Sequence, residues 1–394
     1  MVNELRERFN GEFKEENYQN LINDLWHYNG GKPDFRICES PFFLSDEFAA
    51  RLTNACETII AQLSDDKVKT DSSKGLPEQF KVYGQDEHPV FLQLDFAVTK
   101  NSDGKFLPQL IELQGFPSLY AFQAVISQKV KEHFRLDENF SSFFSGLDYD
   151  GYTNLLRETL LGNSDPENVI LLEIEPDKQK TFVDFYYTEK LTGIKPVCIT
   201  DVIQRGDKLF YNSQGKEIPI ERIYNRVIFD ELERKNISHG INLKEPLDIK
   251  WVGHPNWFFL ISKYTLPLLK NEYVPECYYL NDVETSEINL SEFVLKPLFS
   301  FAGAGVEIDP TEEILEKITD RENYILQKKV NYEPVLKTPD GNSKVEIRMM
   351  LLWNEKPTLV NNLVRTTKGK MVGVDYNKDK TWIGSNIAFH SGKF

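Results

Sequence analysis

Apolar residues recur along the chain with two periods, and each change of period marks an element. The stretch SDEFAARLTNACETIIAQL, residues 45–63, carries Phe48, Leu52, Cys56, Ile59 and Ile60 at helical spacing behind a serine suited to cap the first turn. That predicts an amphipathic helix. FLQLDFAV and LPQLIELQ, joined by NSDGK, read as a β-hairpin with acidic residues toward its strand ends. A polar, helical stretch runs on to about Asn163. NVILLEIEP, a helix through Phe182, Phe185, Tyr186 and Leu191 that ends near Gly193, and PVCITD then make a strand–helix–strand unit. With a turn at 212–215 and a strand holding Asn225 and Arg226, this is a small Rossmann-like unit at about 165–235. Farther on, HPNWFFLISKYTLPLL and PTEEILEKITD read as helices. FVLKPL, YILQKKV, KVEIRMMLLWN, KPTLVNNLVRTT and KMVGV read as strands, so the class is α+β.

Composition narrows the picture. A chain of 394 residues exceeds what one hydrophobic core serves, and segments 1–160, 161–235 and 236–394 are the expected units. No window approaches the roughly 20 apolar residues of a membrane span. The charged N-terminus lacks the apolar segment of a secretory signal, and the four scattered cysteines form neither a zinc set nor a disulfide framework. A cytoplasmic protein with no membrane partner is expected. Net charge of −15 opposes binding to a phosphate backbone, so nucleic acid is not an expected partner. It would suit a cationic substrate such as an amine.

Candidate chemistry gathers at a few positions. Lys296, inside FVLKPL, is either an edge lysine at the surface or a buried ammonium that needs an anion. Ala302, Gly303, Ala304 and Gly305 follow it, and residues without bulk let backbone N–H groups approach a phosphate. The pattern is neither a P-loop nor the dinucleotide fingerprint. Asp95, Glu112 and Gln114 are either ordinary strand-end polar residues or two carboxylates and a neutral oxygen for a hard cation. Arg348 shares a strand face with Glu346, which suits an ion pair or a phosphate contact, and Arg365 is similar. Asn225 and Arg226 suit either packing or recognition of a substrate carboxylate. No histidine cluster and no G-x-S-x-G is present.

The Asp95 strand with LIELQGFPSL, then HPNWFFLISKYTLPLL, then FVLKPLFSFAGAGVEI, in that order, resemble the circularly permuted ATP-grasp branch that includes the glutathionylspermidine synthetase domain. The resemblance spans about residues 40–394. It implies a permuted ATP-grasp fold with a Rossmann-like pre-ATP-grasp unit, and ATP and Mg²⁺ as cofactors. Lys263 and Lys296 would hold the phosphates, Ala302, Gly303, Ala304 and Gly305 would cover them, and Gln327 and Val330 would hold the adenine. Asp95, Glu112 and Gln114 would take the magnesium, with Arg348 and Arg365 as catalytic cations. The implied activity is a carboxylate–amine ligase working through an acylphosphate, on a small carboxylate and an amine such as an amino acid, peptide or polyamine. Three positions depart from the family, one being Phe301 where the synthetase has a charged residue. Its Glu-x-Asn is Glu112-Leu113-Gln114 here, and its arginine two residues before the metal aspartate is Gln93. These departures leave open a degenerate nucleotide-binding or regulatory protein, or a small-molecule phosphotransferase.

Overall fold

Asp95 and Arg348 stand 253 positions apart in the chain and side by side in one sheet. The computed structural model describes residues 1–26, 35–300, 303–370, 377 and 380–394. Its main elements begin with helices α1 (Asn3–Glu12), α2 (Glu15–Leu25) and α3 (Asp46–Leu63), the hairpin β1 (Phe91–Lys100) and β2 (Phe106–Gln114), and helices α4 (Tyr120–Phe134) and α5 (Tyr149–Leu161). Then come β3 (Val169–Glu173), α6 (Phe182–Thr192), β4 (Lys195–Cys198), β5 (Arg222–Asn225) and β6 (Lys250–Val252). The last third holds β7 (Cys277–Tyr279), β8 (Phe293–Pro297), β9 (Tyr324–Lys328), β10 (Gly341–Trp353), β11 (Pro357–Thr367) and β12 (Gly384–Asn386).

Three sheets position the site. The largest runs β12-β11-β10-β1-β2, with the short strand Leu336–Thr338 also on β10, so the early hairpin is completed by strands from the far end of the chain. Its two faces follow the period of two. Leu94, Ile347 and Met349 pack with Phe48, Leu52 and Ile59 of α3, while Met350, Leu352 and Leu363 pack with Tyr120, Phe122 and Ile126 of α4. The Tyr120 hydroxyl reaches the carbonyls of Leu92 at 3.2 Å and Leu351 at 2.8 Å, fastening β1 to β10. A second, parallel sheet has the order β6-β5-β3-β4, with α6 as the crossover from β3 to β4. A third is the antiparallel set β7-β9-β8.

The α3 helix forms as its spacing predicts, with the Ser45 hydroxyl accepting from the Phe48 N–H. The hairpin, the α6 helix with its stop at Gly193 (φ +83°), and the strands around Lys296, Gln327, Arg348 and Arg365 also stand where the pattern puts them. Residues 254–269 do not form one helix. Only Trp257–Leu260 is α-helical, and a separate 3₁₀ segment, Lys263–Leu268, starts behind it. Ser262 starts it afresh, its hydroxyl accepting from the Tyr264 N–H while the Thr265 hydroxyl accepts from the Ser262 N–H. Pro267 supplies no N–H to continue an α-helix. The expected polar helix before Asn163 is two helices, and the first eight residues of α4 are all buried. Two N-terminal helices were not anticipated, and β6 extends the parallel sheet past residue 235. The expected strand around KMVGV lies outside the described residues. Among the described residues no helix is long and apolar enough to cross a membrane.

The two main layers meet at one carboxylate. Asp184, on α6 and fully buried, accepts from the N–H groups of Leu119 at 3.1 Å and Phe122 at 3.0 Å, capping α4 from another element. Leu119 itself sits at φ +65° and has no cap of its own. Asp184→Ala should lower the free energy of unfolding by about 3–5 kcal/mol, because it strands the neighbouring buried Arg226 as well as the cap. Urea titration checks this; a loss under ~1 kcal/mol would contradict the joint.

Candidate functional site

The centre of the site is a carboxylate held by two guanidinium groups. The register sets Asp95 opposite Arg348 on one side and Glu112 on the other, with Glu346 opposite Arg365 one strand farther on. Arg348 donates to both Asp95 oxygens, Nε to Oδ1 at 2.6 Å and Nη2 to Oδ2 at 2.7 Å. Arg365 bridges Asp95 and Glu346, and the Tyr332 hydroxyl donates to Glu346 at 2.6 Å. Burial alone would push the Asp95 carboxyl up, but the two arginines outweigh it and hold it below the usual carboxylate range. The structure therefore pairs Arg348 with Asp95, and Glu346 with Arg365. The Gln114 amide lies within 3.1 Å of both terminal nitrogens of Arg348, which turns its oxygen toward them.

Beside this clamp stand the two lysines. Lys263 opens the 3₁₀ segment and bonds Glu112 at 3.0 Å and the Ser300 carbonyl at 2.7 Å. Lys296 is 8 % exposed and, among the described residues, bonds neutral groups, the Ile111 carbonyl at 3.0 Å and the Gln327 side chain. Among the described residues no carboxylate comes within ion-pair distance of it. Burial draws its pKa below the usual value, with Glu112 opposing and the like charge of Lys263 adding to the fall.

The carbonyl that Lys296 meets is available because β2 bulges there. Asp95 pairs with Glu112 but Phe96 with Leu110, so Ile111 is an extra residue outside the ladder. Gln327 also reaches that edge, donating to the Leu110 carbonyl at 3.1 Å. Downstream of Lys296 the chain turns back, and Glu307 exchanges backbone bonds of 2.9 and 3.0 Å with Leu295, which sets Gly303, Ala304 and Gly305 in the turn beyond β8. Gly303 and Gly305 have φ of +78° and +71°, and a Cβ at Gly305 would stand 2.8 Å from Pro297. Only glycine fits there. Ala302 lies outside the described residues, and Val330 follows β9 half-buried.

Asn225 and Arg226 lie apart from these groups, at the carboxyl ends of the parallel strands. The Asn225 amide is committed to the Val227 backbone, accepting from its N–H and donating to its carbonyl, both at 3.2 Å. Arg226 is 5 % exposed, lies over the Phe116 and Phe185 rings and stands 3.7 Å from Asp184. Its Nε and Nη1 have no hydrogen-bond partner among the described residues. Near it, burial raises the Glu173 carboxyl to about 7, Arg226 partly offsetting the rise.

No protein-family model matches the chain, and no curated protein does. Among solved structures it is similar to a glutathione synthetase-like effector from Globodera pallida, determined in its apo form. The two share 12% identity with a TM-score of 0.58, over 89% of this chain and 93% of that one. The fold is glutathione synthetase-like. At this identity the likeness concerns the fold alone.

The residues as placed do not fit a resident Mg²⁺. That ion needs oxygens at about 2.0–2.1 Å in a near-octahedral set. Both Asp95 oxygens are bonded to guanidinium groups, the Gln114 oxygen faces Arg348, and Glu112 is paired with Lys263. Among the described residues no group of three histidine, cysteine, aspartate or glutamate side chains is arranged to hold a metal. The same cluster suits an anion better, because Lys263, Lys296, Arg348 and Arg365 outnumber Asp95, Glu112 and Glu346 by one charge.

Tyr332, Ile111, Glu173 and Asp184 were not singled out by sequence. A bulge built on isoleucine carries no sequence signal, and Tyr332 meets Glu346 only through the fold. Glu173 gives the second cluster a measurable signature. Its folded carboxyl keeps a proton up to about pH 7, whereas the unfolded one releases it near 4.5, so the folded state binds the extra proton in between. Stability therefore falls as pH rises through that window, by up to ~3 kcal/mol. Glu173→Gln should reduce that slope in urea titrations between those pH values; an unchanged slope would contradict the buried protonated carboxyl.

Proposed function

We propose that the chain is an ATP-grasp-type nucleotide-binding protein that serves as an ATP-dependent carboxylate–amine ligase. The observation that carries the nucleotide is Lys296, a buried ammonium whose bonded partners among the described residues are neutral, beside a turn where glycine is required. Such a charge is costly to bury unless an anion arrives to meet it. Phosphate oxygens would replace the carbonyls of Ile111 and Ser300 on Lys296 and Lys263, exchanging weak dipoles for charge-assisted bonds. Gly303, Ala304 and Gly305 would let backbone N–H groups close over the phosphates, with Gln327 and Val330 toward the base. The order of the parts, hairpin carboxylates before lysines, supports the permuted form of the fold.

In the ligase reading, a carboxylate oxygen of the substrate attacks the terminal phosphorus and ADP leaves. The amine nitrogen then attacks the acyl carbon of the acylphosphate, phosphate departs, and the nitrogen gives up a proton. The chain's part is placement and charge: the lysines on the phosphate oxygens, and Arg348 and Arg365 toward the transferring group. Of the two residues considered for the substrate carboxylate, Arg226 keeps unbonded nitrogens while Asn225 is committed to its own backbone. Magnesium has no part in this reading.

One observation favours a second reading, a nucleotide-binding module without ligation: both Asp95 oxygens are engaged by arginines. ADP release with pooled amino acids, peptides and polyamines separates the two, since only a ligase couples ADP to a new amide. In both readings Lys296→Ala should weaken ATP binding about ten- to a hundredfold in calorimetric titration, the worth of one charge-assisted bond. Its melting temperature without nucleotide should stay level or rise, because a buried charge has gone. Undiminished ATP affinity in that variant would refute the nucleotide site.

A further inference from the structure

Each side chain that a hairpin metal would use is already matched to a protein cation. Asp95 is gripped on both oxygens by Arg348 and touched by Arg365, Gln114 turns toward Arg348, and Glu112 pairs with Lys263 at 3.0 Å. For a divalent ion to reach Asp95, a bidentate guanidinium would have to leave a carboxylate that is 1 % exposed. The displaced arginine would then stand beside the incoming ion, with Glu346 already shared by Arg365 and Tyr332 and Glu112 already paired with Lys263. Two like charges would crowd a buried site, where their repulsion is poorly screened.

We infer that this chain binds the phosphates of a nucleoside polyphosphate without a divalent cation, Arg348 and Arg365 standing where the hairpin would otherwise seat a metal. Lys263 and Lys296 supply the remaining positive charge. The inference rests on the nucleotide reading and adds its ionic requirement: the ligand is the free polyphosphate, not its magnesium complex.

Calorimetric titration of the full chain with ATP, once in EDTA and once in excess Mg²⁺, tests it. Affinity in EDTA should be within about threefold of that in Mg²⁺, or tighter. Binding at least about tenfold weaker in EDTA would overturn the inference and leave the nucleotide site standing. Absence of binding in both buffers would overturn the nucleotide reading and the inference with it. Arg348→Ala gives an independent readout, because it frees an Asp95 oxygen and the Gln114 oxygen for a cation while Arg365 still pairs Asp95. That variant should gain metal dependence, losing about tenfold in EDTA and recovering in Mg²⁺. A folded variant with no metal dependence would contradict the role given to Arg348. Should the variant fail to fold, the wild-type comparison alone decides.

Discussion

Everything else at the site follows from the pairing of β1 with β10. It joins the early hairpin to the last third of the chain in one register, and that register sets Asp95 opposite Arg348. A slip of one residue would turn Asp95 into the α3 layer and Leu94 toward the arginines. The Tyr120 hydroxyl, bonded to carbonyls of both β1 and β10, resists such a slip. Because the paired residues are so far apart in sequence, loop closure must be met before these contacts form, and slow folding is the physical consequence.

Two features radiate from that register. Toward β2 the ladder breaks at Ile111, whose carbonyl turns to Lys296, so the hairpin edge and the lysine strand are tied through a backbone irregularity. Toward β11 the charges alternate as Asp95, Arg365 and Glu346, each held by neighbours on adjacent strands. Such a network is stable because its charges are matched and bonded, and removing one partner leaves another stranded. Lys296 is the exception. Among the described residues its charge has no ion-pair partner, so it marks where the fold accepts a cost in stability that a bound anion would offset.

Much of this was legible in the sequence. The period of two located β1, β2, β8, β9, β10 and β11, and helical spacing located α3 and α6. Small residues after Lys296 pointed to a close backbone approach, and Gly303 and Gly305 adopt the positive φ that requires glycine. Partnership was not legible. Arg348 and Glu346 share a face and read as a pair, yet each bonds across a strand boundary, because cross-strand neighbours stand closer than residues two apart. Asp95, Glu112 and Gln114 read as a metal set because their residue types suit one, and only the register shows that each faces a cation. The break within 254–269 was hidden in the same way, since the Ser262 and Thr265 hydroxyls act through a local bond that apolar periodicity does not report.

The proposed site needs a phosphate to meet Lys296 while the Asp95 clamp stays shut. A crystal structure of the chain soaked with ADP in EDTA tests this most directly. A phosphate oxygen is expected within hydrogen-bond distance of Lys296 Nζ in place of the Ile111 carbonyl, with Arg348 still bidentate on Asp95. Nucleotide bound elsewhere, or an Asp95 carboxylate released from Arg348 when the phosphates arrive, would contradict it.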